Sequence, residues 1–116
     1  ELNAKVITFG RSDIEKDLRN NLNLVFFKLN LDDNESIVEI QHKINEIDNV
    51  DICICCAGIN IVNNFIDSSI EEFNKLFNIN FIRHYEILQI ISRKMSKQKC
   101  GYILNIGSIP KETAIP

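Results

Sequence analysis

The chain has no long apolar run, no excess of basic residues and no charged-then-apolar leader at its start. No run reaches the length needed to cross a bilayer, so we expect neither a membrane segment nor a membrane partner. Sixteen acidic against thirteen basic residues give a net charge of −3, which disfavours nucleic acid because no basic stripe can neutralise phosphates. These absences predict a cytoplasmic protein.

The four cysteines do not form a C-x-x-C pair, so a zinc site or a redox motif has little support. Three of them fall in one predicted strand, where we expect them to be small buried apolar groups: Cys53, Cys55 and Cys56. His42 and His84 have no metal partners at ligand spacing, and no role is predicted for either. We expect no bound metal.

Strands and helices alternate along the whole chain, which is predicted to be a single domain over residues 1–116. The predicted strands cover residues 4–9, 24–29, 51–57 and 102–106. The predicted helices cover residues 12–20, 37–47 and 69–95. Helical connections between apolar strands predict an α/β fold with a parallel sheet and helices on its faces.

Two apolar runs end in small or polar residues, one at Ala57-Gly58 and the other at Gly107-Ser108. Ligands of open α/β sheets bind outside the carboxyl ends of the strands. Asn80 lies three residues after Phe77, within the apolar face of the third predicted helix. From these residues alone, a structural Asn that bonds a helix carbonyl and bends the helix is the favoured interpretation. The alternative is an Asn that holds a water or a backbone group beside a cleft.

Four segments in register resemble the middle of a classical short-chain dehydrogenase/reductase. The strand that ends at Gly58 is similar to the family strand ending in Asn-Asn-Ala-Gly, and residues 77–81 resemble the segment that carries its catalytic Asn. Residues 101–108 resemble the strand whose last Ser is catalytic, and residues 4–11 resemble the second strand. The spacings of 22 residues from Gly58 to Asn80 and 28 from Asn80 to Ser108 agree with this order. The resemblance implies a Rossmann-like, doubly wound parallel sheet.

The resemblance also implies a nicotinamide cofactor. Arg11, assisted by Ser12, matches a position that contacts the adenosine 2′-phosphate, and this favours NADP over NAD. A guanidinium offers forked donors to phosphate, whereas an acidic residue would bond the ribose hydroxyls. A solvated Arg after a turn is the competing interpretation. Two further sets match loops along the cofactor, the adenine-holding pair Asn30 and Leu31 and the ribose-facing set Cys56, Ala57 and Gly58.

The implied chemistry is reversible hydride transfer between the nicotinamide and an alcohol or carbonyl carbon of a small-molecule substrate. Asn80 would support a water in a proton relay, and Ser108 would hydrogen-bond the substrate oxygen. The family helix over residues 70–95 often packs against a partner subunit, which implies a homo-oligomer. Cys55-Cys56 replaces the family Asn-Asn, and Arg83 stands where the family usually has a small residue.

Two family motifs are absent from the chain. No Thr-Gly-x-x-x-Gly-x-Gly turn precedes Glu1, and no Tyr-x-x-x-Lys follows Ser108. In the dinucleotide-binding strand order, the first strand lies between the second and the fourth. Without it, another segment fills that place, or the chain is a piece of a larger molecule, or the four strands pair differently. We expect a piece of a larger molecule.

Two other functions stay open at this point. The first is a non-catalytic nucleotide-binding or interaction domain derived from the same fold, which the missing Tyr and Lys favour. The second is a small flavodoxin-like module whose four strands form one complete sheet.

Overall fold

The computed structural model describes residues 4–18 and 20–107. The strands are β1 (Val6–Gly10), β2 (Leu24–Lys28), β3 (Ile52–Cys55) and β4 (Tyr102–Asn105). The helices are α1 (Ser36–Asn45), α2 (Ile70–Phe77) and α3 (Arg83–Gln98), and a π-helical turn over Asn78–Ile82 joins the last two. The predicted α/β architecture with parallel strands is confirmed.

The four described strands form two separate parallel pairs. β1 pairs with β2, from Val6 opposite Leu24 to Gly10 opposite Lys28. β3 pairs with β4, from Ile52 opposite Tyr102 to Cys55 opposite Asn105. No ladder joins the two pairs among the described residues. The single complete sheet of a flavodoxin-like module is therefore wrong for the described residues.

Apolar residues on both pairs stay exposed as a consequence. Val6 of β1 is 47% exposed, and Ile52 and Ile54 of β3 are 60% and 59% exposed. The described part of the chain covers these side chains only in part. Burying them would stabilise the fold by about 25 cal/mol for each Å² removed from water.

The core lies between α1 and α3 and holds the two strand pairs together. Ile40 and Ile44 of α1 pack with Ile91 and Met95 of α3 and with Leu29, which follows β2. The isoleucine spacing of α1 places its apolar residues on one face, as the sequence predicted. Helix packing therefore supplies the contact between the halves that strand pairing does not.

Two features hold the strands in place at the C-terminal end of α3. The Gln98 amide donates to the Val50 carbonyl at 2.7 Å, and its oxygen accepts from the Val50 amide at 3.1 Å. Gly101 adopts a φ of +150°, and a Cβ there would overlap the Met95 side chain. Only glycine allows both this backbone conformation and the close approach of Met95.

The predicted capping box at the start of α2 is confirmed. The Ser69 hydroxyl accepts from the Glu72 amide at 3.1 Å, and the Glu72 carboxylate accepts from the Ser69 amide at 3.1 Å. The prediction of a helix over residues 12–20 is wrong for the described residues, which contain a short 3-10 turn over Lys16–Leu18. This segment has no apolar face long enough to stabilise a helix by packing.

The apolar side of the third predicted helix divides into two parts. Ile91 is buried in the core, whereas Phe73, Phe77 and Phe81 stack in a row and are 58%, 47% and 58% exposed. Helical spacing predicted which residues share a face but not what covers that face. Within residues 4–18 and 20–107, no helix combines the length and apolarity that crossing a membrane requires.

Candidate functional site

A cleft of about 390 Å³ opens beyond the carboxyl ends of β1 and β3, which belong to different strand pairs. Its lining consists of Arg11, Gly58, Ile59, Asn60, Ile61 and Lys75. Its volume is in the range of small-molecule sites. Arg11 brings positive charge to it, whereas the Lys75 ammonium is paired with Asp32, so an anionic ligand such as a nucleotide phosphate would meet the Arg11 guanidinium.

Asn80 holds one wall of this cleft in place. Its Oδ1 accepts from the Ile59 amide at 2.8 Å, and its Nδ2 donates to the Ile59 carbonyl at 2.9 Å. The side chain thus bonds a backbone group beside the cleft rather than a carbonyl of its own helix. The expected burial of this amide is not observed, because Asn80 is exposed. The apolar face around it is uncovered.

Two local features bring Asn80 this close to the loop after β3. Asn80 lies in the middle of the π-helical turn, a kind of irregularity that often marks a functional position. A Cβ on Gly58 would lie 3.3 Å from Asn80 Oδ1, which is closer than ordinary contact. Gly58 therefore allows the approach of the amide, and its predicted role beside the cofactor ribose stays a prediction.

His84 contacts two strand ends at once, and no role for it was predicted. Its Nε2 lies 2.6 Å from the Ala57 carbonyl, and its Nδ1 lies 3.4 Å from Asn105 Oδ1. Because a carbonyl only accepts, Nε2 carries the donated proton. His84 is four residues after Asn80, and residues at this spacing share a helix face, so the pattern contained a signal for it.

The predicted site residues that follow β1 and β3 differ in whether they line the cleft. Arg11 is exposed and lines it, so the structure brings Arg11 and Gly58 together. Ser12 is exposed, and it is not among the described residues that line the cleft. Cys56 and Ala57 are exposed at the end of β3, where the Ala57 carbonyl bonds His84.

Asn30 and Leu31 lie outside this cleft. The Asn30 side chain closes its own turn, donating to Asp33 Oδ1 at 3.2 Å and accepting from the Asp32 amide at 3.3 Å. Asn30 instead lines a second cleft of about 180 Å³. The Leu31 carbonyl accepts from Arg83.

Ser108 lies outside the described residues, so its predicted position beside Asn80 is not observed. The last residue of β4, Asn105, does lie at the same helix face through its contact with His84. The carboxyl ends of β3 and β4 and the Asn80 face of the helix therefore meet on one side of the second strand pair.

The cysteines differ from the expectation of three buried thiols, because Cys55 is buried but Cys53 is half-buried and Cys56 is exposed. The Cys53 and Cys55 sulfurs are 3.8 Å apart on one face of β3. The hydrogen bond from Cys53, reinforced by the nearby charge of His84, lowers the pKa of Cys55 from 9.0 to about 7. The same hydrogen bond and burial raise the pKa of Cys53. Among the described residues, no cluster of side chains could hold a metal ion.

Two cations of the long helix reach the loop after β2. The buried Arg83 donates through Nε to the Leu31 carbonyl at 2.9 Å and through one terminal nitrogen to Asn34 Oδ1 at 3.1 Å. Its other terminal nitrogen lies 2.9 Å from Glu86 Oε2. Lys75 Nζ pairs with Asp32 Oδ2 at 2.6 Å. The partners in the loop are 43 to 52 residues away, so the sequence pattern contained no signal for them, whereas Glu86 lies at helical spacing from Arg83.

Comparison with known proteins identifies the family of the chain. Residues 1–115 match the model of the short chain dehydrogenase family, and the chain belongs to that family. The family prediction is thereby confirmed. A 3-oxoacyl-(acyl-carrier-protein) reductase of Rickettsia typhi is 30% identical over 112 residues, which are 94% of this chain and 45% of that protein. The corresponding reductase of Haemophilus influenzae is 33% identical over 76% of this chain and 37% of its own length.

Solved structures give the same fold. A short chain dehydrogenase from Leptospira borgpetersenii with bound NAD+ superposes with a TM-score of 0.79 at 28% identity, covering 90% of this chain and 42% of that one. A variant of ElxO with NADPH bound superposes with a TM-score of 0.73 at 28% identity, covering 90% and 45%. The chain spans less than half the length of each of these relatives.

Proposed function

We propose that the protein is a nicotinamide-dependent oxidoreductase that transfers a hydride between the cofactor and an alcohol or carbonyl substrate. The observation that carries this proposal is the cleft that Arg11 and Gly58 line together. It places a guanidinium after one strand pair and a glycine after the other, at the carboxyl edge where dinucleotides bind in this fold. The relatives with bound NAD+ and NADPH support the same class of cofactor.

Within this proposal the cofactor is NADP rather than NAD. Arg11 is an exposed cation at the cleft, whereas the charge of Lys75 is paired with Asp32. A guanidinium binds a 2′-phosphate through parallel charge-assisted hydrogen bonds. No acidic residue of the described chain lines the cleft, where it would favour the ribose hydroxyls of NAD.

The residues at the strand ends have separate roles in the proposal. Asn80 holds the Ile59 backbone and so orients the loop that follows Gly58. Ser108 hydrogen-bonds the substrate oxygen, and the cofactor supplies the hydride chemistry. Because two relatives are 3-oxoacyl-(acyl-carrier-protein) reductases, a 3-oxoacyl thioester is the first substrate to assay.

Pairing of two subunits through the long helix is also part of the proposal. Phe73, Phe77 and Phe81 form a stacked aromatic row that remains exposed. Exposed apolar patches of this kind mark association surfaces. Sedimentation of the full-length protein tests it, and a monomer at assay concentration contradicts it.

Titration of the full-length protein with NADPH and NADH, followed by nicotinamide fluorescence, tests the cofactor. We expect saturable binding of NADPH. Arg11→Ala should weaken NADPH about tenfold or more, because charge-assisted hydrogen bonds to the 2′-phosphate are lost, and should leave NADH within about twofold. Lys5→Ala, which removes an exposed cation before β1, is the matched control.

Two outcomes contradict parts of this proposal. An equal loss of affinity for NADPH and for NADH in the Arg11 variant contradicts the assignment of Arg11 to the 2′-phosphate. No saturable binding of either nucleotide contradicts the oxidoreductase and favours the non-catalytic domain of the same fold.

A further inference from the structure

Arg83 joins the loop after β2 to the helix that carries Asn80. Its guanidinium makes two contacts in the loop, to the Leu31 carbonyl and to Asn34 Oδ1, at 2.9 and 3.1 Å. The third contact, to Glu86 on its own helix, holds the guanidinium at 2.9 Å. A planar fork bonded on three sides allows little movement of the groups that it joins.

Hydrogen bonds within the loop close it into a turn, so we expect a single anchor to position all of it. The Asn30 amide bonds Asp33, and the Asp33 backbone amide bonds the Asn30 carbonyl at 3.1 Å. Leu31 lies inside this closed turn. Fixing the Leu31 carbonyl therefore fixes the turn relative to α3.

Arg83 is the stronger of the two links between helix and loop. The Lys75–Asp32 pair is 49% and 34% exposed at its side chains, and ion pairs of that kind contribute little. The Arg83 side chain is only 8% exposed. A buried guanidinium must keep its partners, because leaving it unpaired is costly.

Arg83 and Asn80 are three residues apart on one continuous helical segment. Asn80 holds the loop after β3, and Arg83 holds the loop after β2. The segment thus sets the distance between the loop after β3, which is predicted to lie at the ribose, and the loop after β2, which is predicted to lie at the adenine.

We propose that Arg83 is a positioning residue for the adenosine half of the cofactor, acting through the Leu31 carbonyl. This inference rests on the proposed function, since it takes the loop over residues 30–34 to face the adenine. It assigns Arg83 no contact with the cofactor itself. It also gives a reason for a large cation where the family usually has a small residue.

The test measures binding of adenosine 2′-monophosphate and of nicotinamide mononucleotide to the full-length protein by calorimetry. Arg83→Met should weaken the adenosine ligand about tenfold or more, because the loop loses two hydrogen bonds to a charged group, and leave the nicotinamide ligand within about twofold. The affinity of Arg83→Lys for the adenosine ligand should lie between those of the wild type and Arg83→Met, because an ammonium lacks the forked donors of a guanidinium. Arg93→Met, an exposed arginine ten residues further along α3, should bind both ligands as the wild type does.

Asn34→Ala provides a second test of the inference if Arg83→Met does not fold. Asn34 is exposed, and its loss removes one of the three guanidinium contacts without leaving a buried charge unpaired. It should weaken the adenosine ligand selectively and by less than Arg83→Met.

The outcomes separate this inference from the function on which it rests. A wild-type protein that binds NADPH, with Arg83→Lys and Asn34→Ala binding the adenosine ligand unchanged, overturns the inference alone. Equal weakening of both half-ligands also overturns it, because general destabilisation has that signature. A wild-type protein that binds neither NADPH nor NADH overturns the proposed function and the inference together.

Discussion

The two strand pairs are both parallel, but the residues beyond β1 and beyond β3 are held differently. Beyond β1, the side chain of Arg11 is exposed at the cleft. Beyond β3, hydrogen bonds from Asn80 and His84 hold the backbone of Ile59 and Ala57. The second end is therefore ordered by the protein's own contacts, whereas the first end presents a free charge to a ligand.

This difference matches what each end has to do. A phosphate is bound well by a mobile cation, because charge attraction tolerates some variation in geometry. Hydride transfer needs atoms held close to their reacting positions, and a displacement of 1 Å is costly. The contrast shows that hydrogen bonds from the helix order the end of β3, where the proposed chemistry takes place, and not the end of β1.

Weakening the α1–α3 contact that holds the two strand pairs together should have the largest effect on stability. Ile40 is 2% exposed and packs between the two helices that join them. Ile40→Ala should lower the free energy of unfolding of the full-length protein by about 2–5 kcal/mol through lost burial and a cavity. Urea denaturation measures it.

Val38→Ala is the control for that experiment, because Val38 lies on the same helix and is 56% exposed. We expect a change within about 0.5 kcal/mol. Equal effects of the two substitutions would show that the α1–α3 contact does not hold the halves together.

Removing the order at the second end should have the next largest effect. Asn80→Ala deletes both hydrogen bonds to Ile59 and releases the loop after Gly58. The expected result is a loss of about 10²-fold in kcat/KM, because the bound cofactor is misplaced. Steady-state assay of NADPH oxidation measures it.

Asn74→Ala provides the comparison, since Asn74 is exposed on α2. Its kcat/KM should stay near that of the wild type. A wild-type rate for Asn80→Ala would mean that the hydrogen bonds to Ile59 are dispensable and that the two strand ends do not differ in function.

The smallest effect concerns the thiol pair on β3, which has no counterpart on β1. The pKa of Cys55 is about 7 in the folded protein against 9.0 for an ordinary thiol. Between these values the unfolded chain keeps a proton that the folded protein has lost, so stability should rise with pH. As pH falls through about 7, this contribution should disappear.

The ultraviolet absorbance of the thiolate, recorded against pH, follows this titration directly. Cys53→Ala removes the hydrogen bond that lowers the pKa, so the Cys55 midpoint should move upward. Cys100→Ser, at an exposed cysteine, removes a thiol without altering the pair. A Cys55 midpoint that does not respond to Cys53→Ala would contradict the role of this hydrogen bond.

Local chemistry made several features predictable. Ser69 and Glu72 satisfy each other's amide groups within four residues, so the start of α2 follows from the sequence. The isoleucines of α1 identify its buried face in the same way. The position of Asn80 was predictable, but its partner was not, since Ile59 is 21 residues away.

Other features depended on contacts that no local pattern records. The helix expected over residues 12–20 lacks an apolar surface to pack, and the described part of it contains only a three-residue 3-10 turn. The row of Phe73, Phe77 and Phe81 has the spacing of a core face and is exposed. Spacing tells which residues point together, and only the neighbouring elements decide whether they are covered.

By itself, the sequence determined the order of strands and helices, the parallel pairing and the family, because periodicity, caps and short motifs are local properties. Only the tertiary structure decided that Arg11 and Gly58 share a cleft, that His84 spans two strand ends and that Arg83 holds the loop after β2. Each of these joins residues far apart in the chain. Such pairs become neighbours only when the elements that carry them pack together, as α1 and α3 do in the core.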